Sequence, residues 1–322
     1  MMNGYLLLIL VMLVIIINGA TDAPNAVATI VATSKIKIKY ALFIASICNF
    51  LGVLVMSLTS PKIINVIYKI VDFRNNNDFA IYAVASSMIA IIIWGVITWY
   101  FGIPTSESHA LVASLTGAAI GIKNTTINIE MWNRVFQGII YAFIIGILSG
   151  YLVFKIINII PSKYFKKIKI FQYLSGMLLA FIHGAQDGLK FLGVLLLVGQ
   201  ICFNKIEEVS FWMIVVCSVL MFVGTMIGGK KIIEKVGNEL TTLNEKEGVS
   251  SDISSIVSLF IGTILGIPLS TTQMKTATII GVTFKQRKMN NTVLTQLIIS
   301  WTLTFPICFL IGYIITKLFL KL

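Results

Sequence analysis

Asp22 sits in the run Asn18-Gly19-Ala20-Thr21-Asp22-Ala23-Pro24-Asn25, inside a long apolar segment. Asp187 sits 165 residues later in a near copy, His183-Gly184-Ala185-Gln186-Asp187-Gly188-Leu189-Lys190. A second pair of polar interruptions repeats at an offset of 164: Ile103-Pro104-Thr105-Ser106-Glu107-Ser108-His109 and Ile267-Pro268-Leu269-Ser270-Thr271-Thr272-Gln273. In this second pair a proline precedes a Ser/Thr cluster, the composition of a helix start with its capping hydroxyls. A helix N-terminus exposes free N–H groups and about half a positive charge, so it binds oxyanions. The hydroxyls of Ser106, Ser108, Ser270, Thr271 and Thr272 add donors. Two such starts meeting from opposite sides would cage a tetrahedral oxyanion.

The aspartates select among oxyanions. A carboxylate repels a fully ionised anion such as sulfate. It accepts a hydrogen bond from the P–OH of a protonated phosphate, and it can hold a cation. The combination favours phosphate over sulfate, with cation coupling. A charge within a membrane costs ~2.5–3.5 kcal/mol or more, which makes it a functional candidate by default. Lys190 occupies the repeat position of Asn25, where it takes the place of a bound cation, neutralises Asp187 or contacts the anion. Glu107 matches Thr271 and is a candidate proton carrier. His109 matches Gln273, as a second proton site or a hydrogen-bonding group. Lys275, one turn past the second Ser/Thr cluster, reads as a charge-paired residue, and His183 reads equally well as a packing histidine. The expected substrate set is Asp22, Asn25, Ser106, Ser108, Asp187, Lys190, Ser270, Thr271 and Thr272. The expected coupling-ion set is Thr21, Asp22, Asn25, Glu107, His109, Gln186, Asp187 and Gln273.

The elements that position these residues are membrane helices. Of 322 residues, 57% are hydrophobic and 12% charged, with a mean hydropathy of +0.93. A soluble domain is nearer half apolar and a quarter charged. Runs such as Tyr5–Ile17, Ala80–Trp94 and Phe136–Val153 are long and nearly charge-free, and ~20 apolar residues span a bilayer as a helix. Met1–Ile17 lacks a basic leader, so no cleaved signal peptide is expected. The net charge of +12 lies in loops, as topological sorting requires, and calls for no nucleic acid. Cys48, Cys202, Cys217 and Cys308 have no CxxC spacing and read as packing residues. Two histidines are too few for a metal cluster. No HExxH, nucleophile elbow or His-rich catalytic set is present, so an enzyme is not expected.

Two motifs repeating in the same order at one offset make the chain two copies of one unit. The expected fold is an all-α polytopic membrane protein of two inverted-topology repeats with broken helices and re-entrant-type hairpins. The first repeat is residues 1–160, the second 171–322, and 161–170 is a basic linker. Broken helices are expected at Gly19–Asn25, Pro104–His109, Gly184–Lys190 and Pro268–Gln273. Ser60–Asp78 reads as polar, with Asn75-Asn76-Asn77 a loop, and Lys230–Asp252 is the longest polar stretch. If each repeat crosses an odd number of times, Lys35–Lys39, Pro161–Lys169, Lys230–Asp252 and Lys285–Asn291 share one side and carry 14 of the 25 Lys/Arg, against 8 opposite. The richer side is expected to be cytoplasmic. Both termini then lie outside a plasma membrane, and the proline-led breaks belong to hairpins that enter and leave by one face. Inverted repeats with interrupted helices point to a secondary transporter with its site at the repeat interface. A channel is the competing class.

At these residues the sequence resembles the inorganic phosphate transporter (Pit) family. That family's signature is a Gly-Ala-Asn-Asp-x-x-Asn-like motif and a Pro-x-Ser-Thr-Thr-His-like motif in each half. Gly19–Asn25 resembles the first with Thr21 for Asn, and His183–Asp187 with Gln186 for Asn. Pro104–His109 and Pro268–Gln273 resemble the hairpin motifs, and the likeness runs from about Leu6 to about Gly312. It implies carriage of phosphate with a coupling cation and no resident cofactor. Gly188-Leu189-Lys190 is similar to the Gly-x-Lys form of bacterial low-affinity members, which implies H+ coupling rather than Na+ and uptake of phosphate as a metal complex, for example with Mg2+. Some members resemble sulfate permeases, which keeps sulfate as the runner-up. The family's large central hydrophilic loop is absent, which suits a bacterial member. The expected partners are inorganic phosphate, the cation and the lipid bilayer; a homo-oligomer stays open.

Overall fold

A computed structural model describes residues 3–34, 36–73, 77–123, 125–161, 168–203, 208–286 and 289–321. Lys35 of the basic comb, Asn75 and Asn76 of the expected loop, positions 162–167 of the linker, Arg287 and Lys288 lie outside the described residues. The first repeat contains α1 (Gly4–Thr21), α2 (Pro24–Ser34), α3 (Ile38–Thr59), α4 (Lys62–Tyr68), β1 (Val71–Asp72), α5 (Asn77–Phe101), α6 (Glu107–Ile120), β2 (Thr126–Ile127) and α7 (Ile129–Ile159). The second contains α8 (Ile168–Phe203), α9 (Phe211–Ile227), α10 (Lys230–Glu234) with a π turn over Lys235–Glu239, α11 (Glu245–Leu265), α12 (Thr271–Thr283) and α13 (Asn291–Phe319). Helix for helix, α1–α2 matches α8, α3 matches α9, and α5, α6 and α7 match α11, α12 and α13. Among the described residues, seven helices are long and apolar enough to cross a membrane, and α9 with α10 forms an eighth candidate bent by 71°.

The hairpins behave as the proline-led motifs predict. α6 has 14 residues and α12 has 13, so each is about 20 Å long at ~1.5 Å per residue, short of the ~30 Å hydrocarbon core. β1 pairs antiparallel with β2, Val71 opposite Ile127, and the Asn128 N–H donates to the Ile70 carbonyl at 3.1 Å. The chain therefore enters α5 and leaves α6 at one face. The second repeat is tied the same way by Asn290 N–H to Leu240 O at 2.9 Å. Full crossings then fall to α1–α2, α3 and α7 in one repeat and to α8, α9 and α13 in the other. An odd number per repeat inverts the second copy. At the hairpin tips, Gly102 and Gly266 hold left-handed φ of 65° and 75°, a conformation that glycine adopts without steric cost.

Two expectations are corrected. The first aspartate motif interrupts its helix only at Asp22-Ala23, and Gly4–Ser34 behaves as one span. The second does not interrupt at all, because α8 runs unbroken through Gly184–Lys190. The difference is Pro24, whose repeat mate is Leu189. Proline lacks the N–H that continues the helical ladder, and leucine restores it. The polar stretches Ser60–Asp78 and Lys230–Asp252 are not plain loops. The former holds α4 and β1; the latter holds α10, the π turn and the first turns of α11, and buries Asp252.

The repeats interlock through their last helices. α6 packs on α13 of the other repeat, and α12 packs on α7. Glycines in matched positions permit this. A Cβ on Gly117 would fall 2.1 Å from Phe309 O, and one on its mate Gly281 would fall 2.2 Å from Ile147 O. Gly312 sits as tightly on Ser114 O, and its mate Gly150 on Thr278 O, each at 2.5 Å. The outer faces of α7 and α13 carry exposed Ile140, Ile144, Leu148, Ile298, Leu303 and Leu310, an apolar surface for lipid. Gly117→Ala and Gly281→Ala are each expected to destabilise the fold by at least about 1–3 kcal/mol, the usual cost of overpacking. Thermal unfolding in detergent measures this, and a comparable loss for both would reflect their equivalent packing.

Candidate functional site

The two aspartate motifs and the two hairpin tips converge in the middle of the molecule. Ser106 caps α6 by accepting from His109 N–H, and Ser270 caps α12 by accepting from Gln273 N–H. The two cap hydroxyls touch at 2.9 Å, so the helix starts face each other. Their first N–H groups have no intrahelical acceptor.

Around this meeting point stand two matched sets. In the first, Asp22 accepts from Thr271 Oγ1 at 3.1 Å, from Asn25 Nδ2 at 3.2 Å and from the Thr272 hydroxyl. Asn25 Nδ2 also reaches Thr272 Oγ1 at 3.1 Å. In the second, Lys190 Nζ donates to Asp187 Oδ1 at 2.9 Å, to Ser108 Oγ at 2.6 Å and to Leu269 O at 2.8 Å. Ser108 is the repeat mate of Thr272. The arrangement carboxylate, neighbour one turn on, hairpin hydroxyl thus occurs twice, with an amide in one copy and an ammonium in the other. All these side chains are buried.

His183 links the sets. Its Nε2 lies 3.8 Å from Asp22 Oδ1 and 3.7 Å from Asp187 Oδ2. The repeat mate of His183, Asn18, donates to Asp187 Oδ2 at 3.4 Å. Ligand atoms of Asp22, His183 and Asp187 lie within 4.8 Å of one another, a constellation able to hold a cation. Glu107 accepts from Thr21 Oγ1 at 3.2 Å, and its Oε2 is buried with no partner. Gln186 braces the second hairpin by accepting from Leu269 N–H at 3.2 Å and donating to Thr263 Oγ1 at 3.0 Å.

His109 and Gln273 face elsewhere. They line a cavity of about 600 Å³ between α7 and α13 with Phe136, Trp301 and Phe305, and the His109 ring lies over Phe305 with centroids 4.8 Å apart. Neither hydrogen-bonds to the aspartates. Lys275 is charge-paired, as its position suggests, and its partner is Asp252. Asn18, His183 and Asp252 are absent from the residue sets drawn from the sequence. For Asn18 and His183 the signal was present, since they are repeat mates one turn before the aspartates. Asp252 opens no motif and sits in a serine-rich stretch that reads as polar surface.

Residues 18–167 and 159–312 each match the model of the phosphate transporter family. A "probable low-affinity inorganic phosphate transporter" of Bacillus subtilis is 29% identical over 96% of this chain and 97% of its own length. One of the same description from Rhizobium meliloti is 30% identical over 92% of this chain and 90% of its own length. The solved structure titled "The sodium-dependent phosphate transporter" shares the fold with a TM-score of 0.85 over 98% of both chains, at 21% identity.

Removing one member of a buried ion pair strands the other charge, at a cost of about 3–5 kcal/mol. Lys190→Met is therefore expected to lower stability by that order, and adding Asp187→Leu to recover much of it. A double-mutant cycle on thermal unfolding checks this; equal losses in the single and double variants would show that the pair is not the source.

Proposed function

This chain belongs to the phosphate transporter family, a family of transporters and not of enzymes, and we propose that it imports inorganic phosphate across the plasma membrane by cation symport, driven by protons rather than sodium. The observation that carries this reading is the pair of matched sets, Asp22/Asn25/Thr272 and Asp187/Lys190/Ser108. Fully ionised, Asp22, Asp187 and Glu107 would bring three negative charges against Lys190 and a protonated His183, and phosphate adds more. Such a site fills only when protons or cations arrive with the anion, which is the physical content of coupling. In the second set an ammonium stands where the first has an amide. One cation is thereby built in, and the demand for an external one falls.

Phosphate is held in this reading between the starts of α6 and α12, by their free N–H groups and by Ser106, Ser108, Ser270, Thr271 and Thr272, with Asn25 and Lys190 flanking. Asp22 and Asp187 accept from its P–OH groups or hold the coupling ion. Glu107, with one unpartnered oxygen, carries the proton. Both termini face outward, and the basic segments face the cytoplasm.

The test is phosphate uptake into proteoliposomes under an imposed proton or sodium gradient, with and without Mg2+, and with excess sulfate. Proton-driven accumulation insensitive to sulfate is expected, and stimulation by Mg2+ would identify the carried species as a metal–phosphate complex. Accumulation driven only by sodium, or uptake of sulfate instead, would overturn the reading. Asp22→Asn and Asp187→Asn are expected to abolish uptake in inserted protein. Glu107→Gln is expected to flatten the pH dependence of the remaining transport, and an unchanged profile would remove Glu107 from the proton path.

A further inference from the structure

Beyond the site lies a second buried polar system, whose ion pair has no counterpart in the other repeat. Asp252 on α11 forms an ion pair with Lys275 on α12. It also accepts from Thr29 Oγ1 at 2.6 Å and from Ser175 Oγ at 2.9 Å. Lys275 Nζ lies 3.2 Å from Thr29 Oγ1. Gln172 continues the file, donating to Thr29 O at 3.5 Å and to the Thr33 hydroxyl. Its Oε1 is buried without a partner, an arrangement that proteins normally satisfy with water. Thr29 is one turn beyond Asn25, and Lys275 about one turn beyond Thr271. Thr33 and Gln172 lie at the end of α2 and the start of α8, beside the basic segments.

The duplication supplies an internal control. The repeat mates of Thr29, Thr33, Gln172, Ser175, Asp252 and Lys275 are Val194, Val198, Leu7, Leu10, Met88 and Leu111. These six have apolar mates, whereas Ser251, which Lys275 Nζ reaches at 3.2 Å, and Thr278 keep polar mates in Ser87 and Ser114; the same architecture thus tolerates methionine and leucine where the ion pair stands. Stability alone does not account for a buried pair, since replacing one with well-packed apolar side chains is often neutral or stabilising. Its restriction to one side of the site calls for a role that has a direction.

We propose that this file is the route by which the anion leaves the site toward the basic face, with the Asp252–Lys275 pair as its gate. The inference rests on the oxyanion reading above. An anion departing the start of α12 meets the Lys275 ammonium one turn along. Lys275 exchanges Asp252 for the anion, and Asp252 stays satisfied by Thr29 and Ser175 while the pair is open. On the opposite side Met88 and Leu111 stand in place of the pair, the hydroxyls of Ser87 and Ser114 are bonded to each other, and no ammonium is there to receive the anion.

The decisive variant copies the first repeat into the second, Asp252→Met with Lys275→Leu. Phosphate binding by the purified protein is expected to stay near the wild-type value, while proteoliposome uptake falls at least about tenfold, or 1.4 kcal/mol of barrier. A second measurement does not depend on that variant folding or on the substrate. Ser175→Cys is expected to react with a membrane-impermeant maleimide in inside-out but not right-side-out vesicles, as an increment over the four native cysteines. Wild-type uptake by the double variant would overturn the proposal, and so would a Ser175→Cys chain refractory in both vesicle types. If the wild type moves no phosphate, the transport reading fails, and the vesicle labelling still decides whether the path exists.

Discussion

A carboxylate in a membrane interior has no bulk water to stabilise it, so its partners must come from the protein or from a cargo. Asp22, from the first repeat, takes two of its partners from Thr271 and Thr272 at the start of α12, in the second. Lys190, which neutralises Asp187 in the second repeat, takes one of its acceptors from Ser108 on α6, in the first. Each hairpin is therefore fastened to a charge on the other copy. Withdrawing a hairpin would uncover that charge, and the state so formed would be costly unless a cation, proton or hydrogen-bonding anion took the vacated place. Conformational change and ligand occupancy become one equilibrium for an electrostatic reason.

The exchange of terminal helices serves the same end. α6 is backed by α13 and α12 by α7, each from the opposite repeat, and the matched glycines allow backbone-to-backbone approach along both seams. In hydrocarbon, helix association depends on close packing and hydrogen bonds, because lipid tails are as apolar as leucine. A seam of glycines suits that requirement. It gives a hairpin a rigid back, so its short helix start is presented at a fixed depth although it is too short to cross.

Much of this was legible because the gene product says it twice. The motif offsets gave the repeats, the proline-led Ser/Thr clusters gave both hairpins, and the aspartates gave the centre. What the sequence hid were properties of the ladder and of the packing. An aspartate motif flanked by glycines looks like a helix break in either copy, yet only the copy with Pro24 is interrupted, because a single missing N–H decides it. His109 shares a motif with Ser106 and Ser108, but on a helix of 3.6 residues per turn it is rotated about 100° from Ser108, and it accordingly meets Phe305. Asp252 looked like part of a solvated loop because serines surround it, whereas those serines face a buried partner on α12.

The departures from symmetry carry the most chemical meaning. Two identical repeats of opposite orientation would make a site with equivalent exits, and nothing in such a molecule would distinguish entry from release. Among the many replacements between the repeats, five change charge, hydrogen bonding or the helix ladder at or beside the centre: Asn25 against Lys190, Thr271 against Glu107, Pro24 against Leu189, Met88 against Asp252, Leu111 against Lys275. The first two alter the charge of the centre, by an added ammonium and an added carboxyl group. The last two alter what lies beyond the centre on one side. A duplicated scaffold supplies two equivalent halves, and these unmatched side chains are what make the two sides of the centre chemically different.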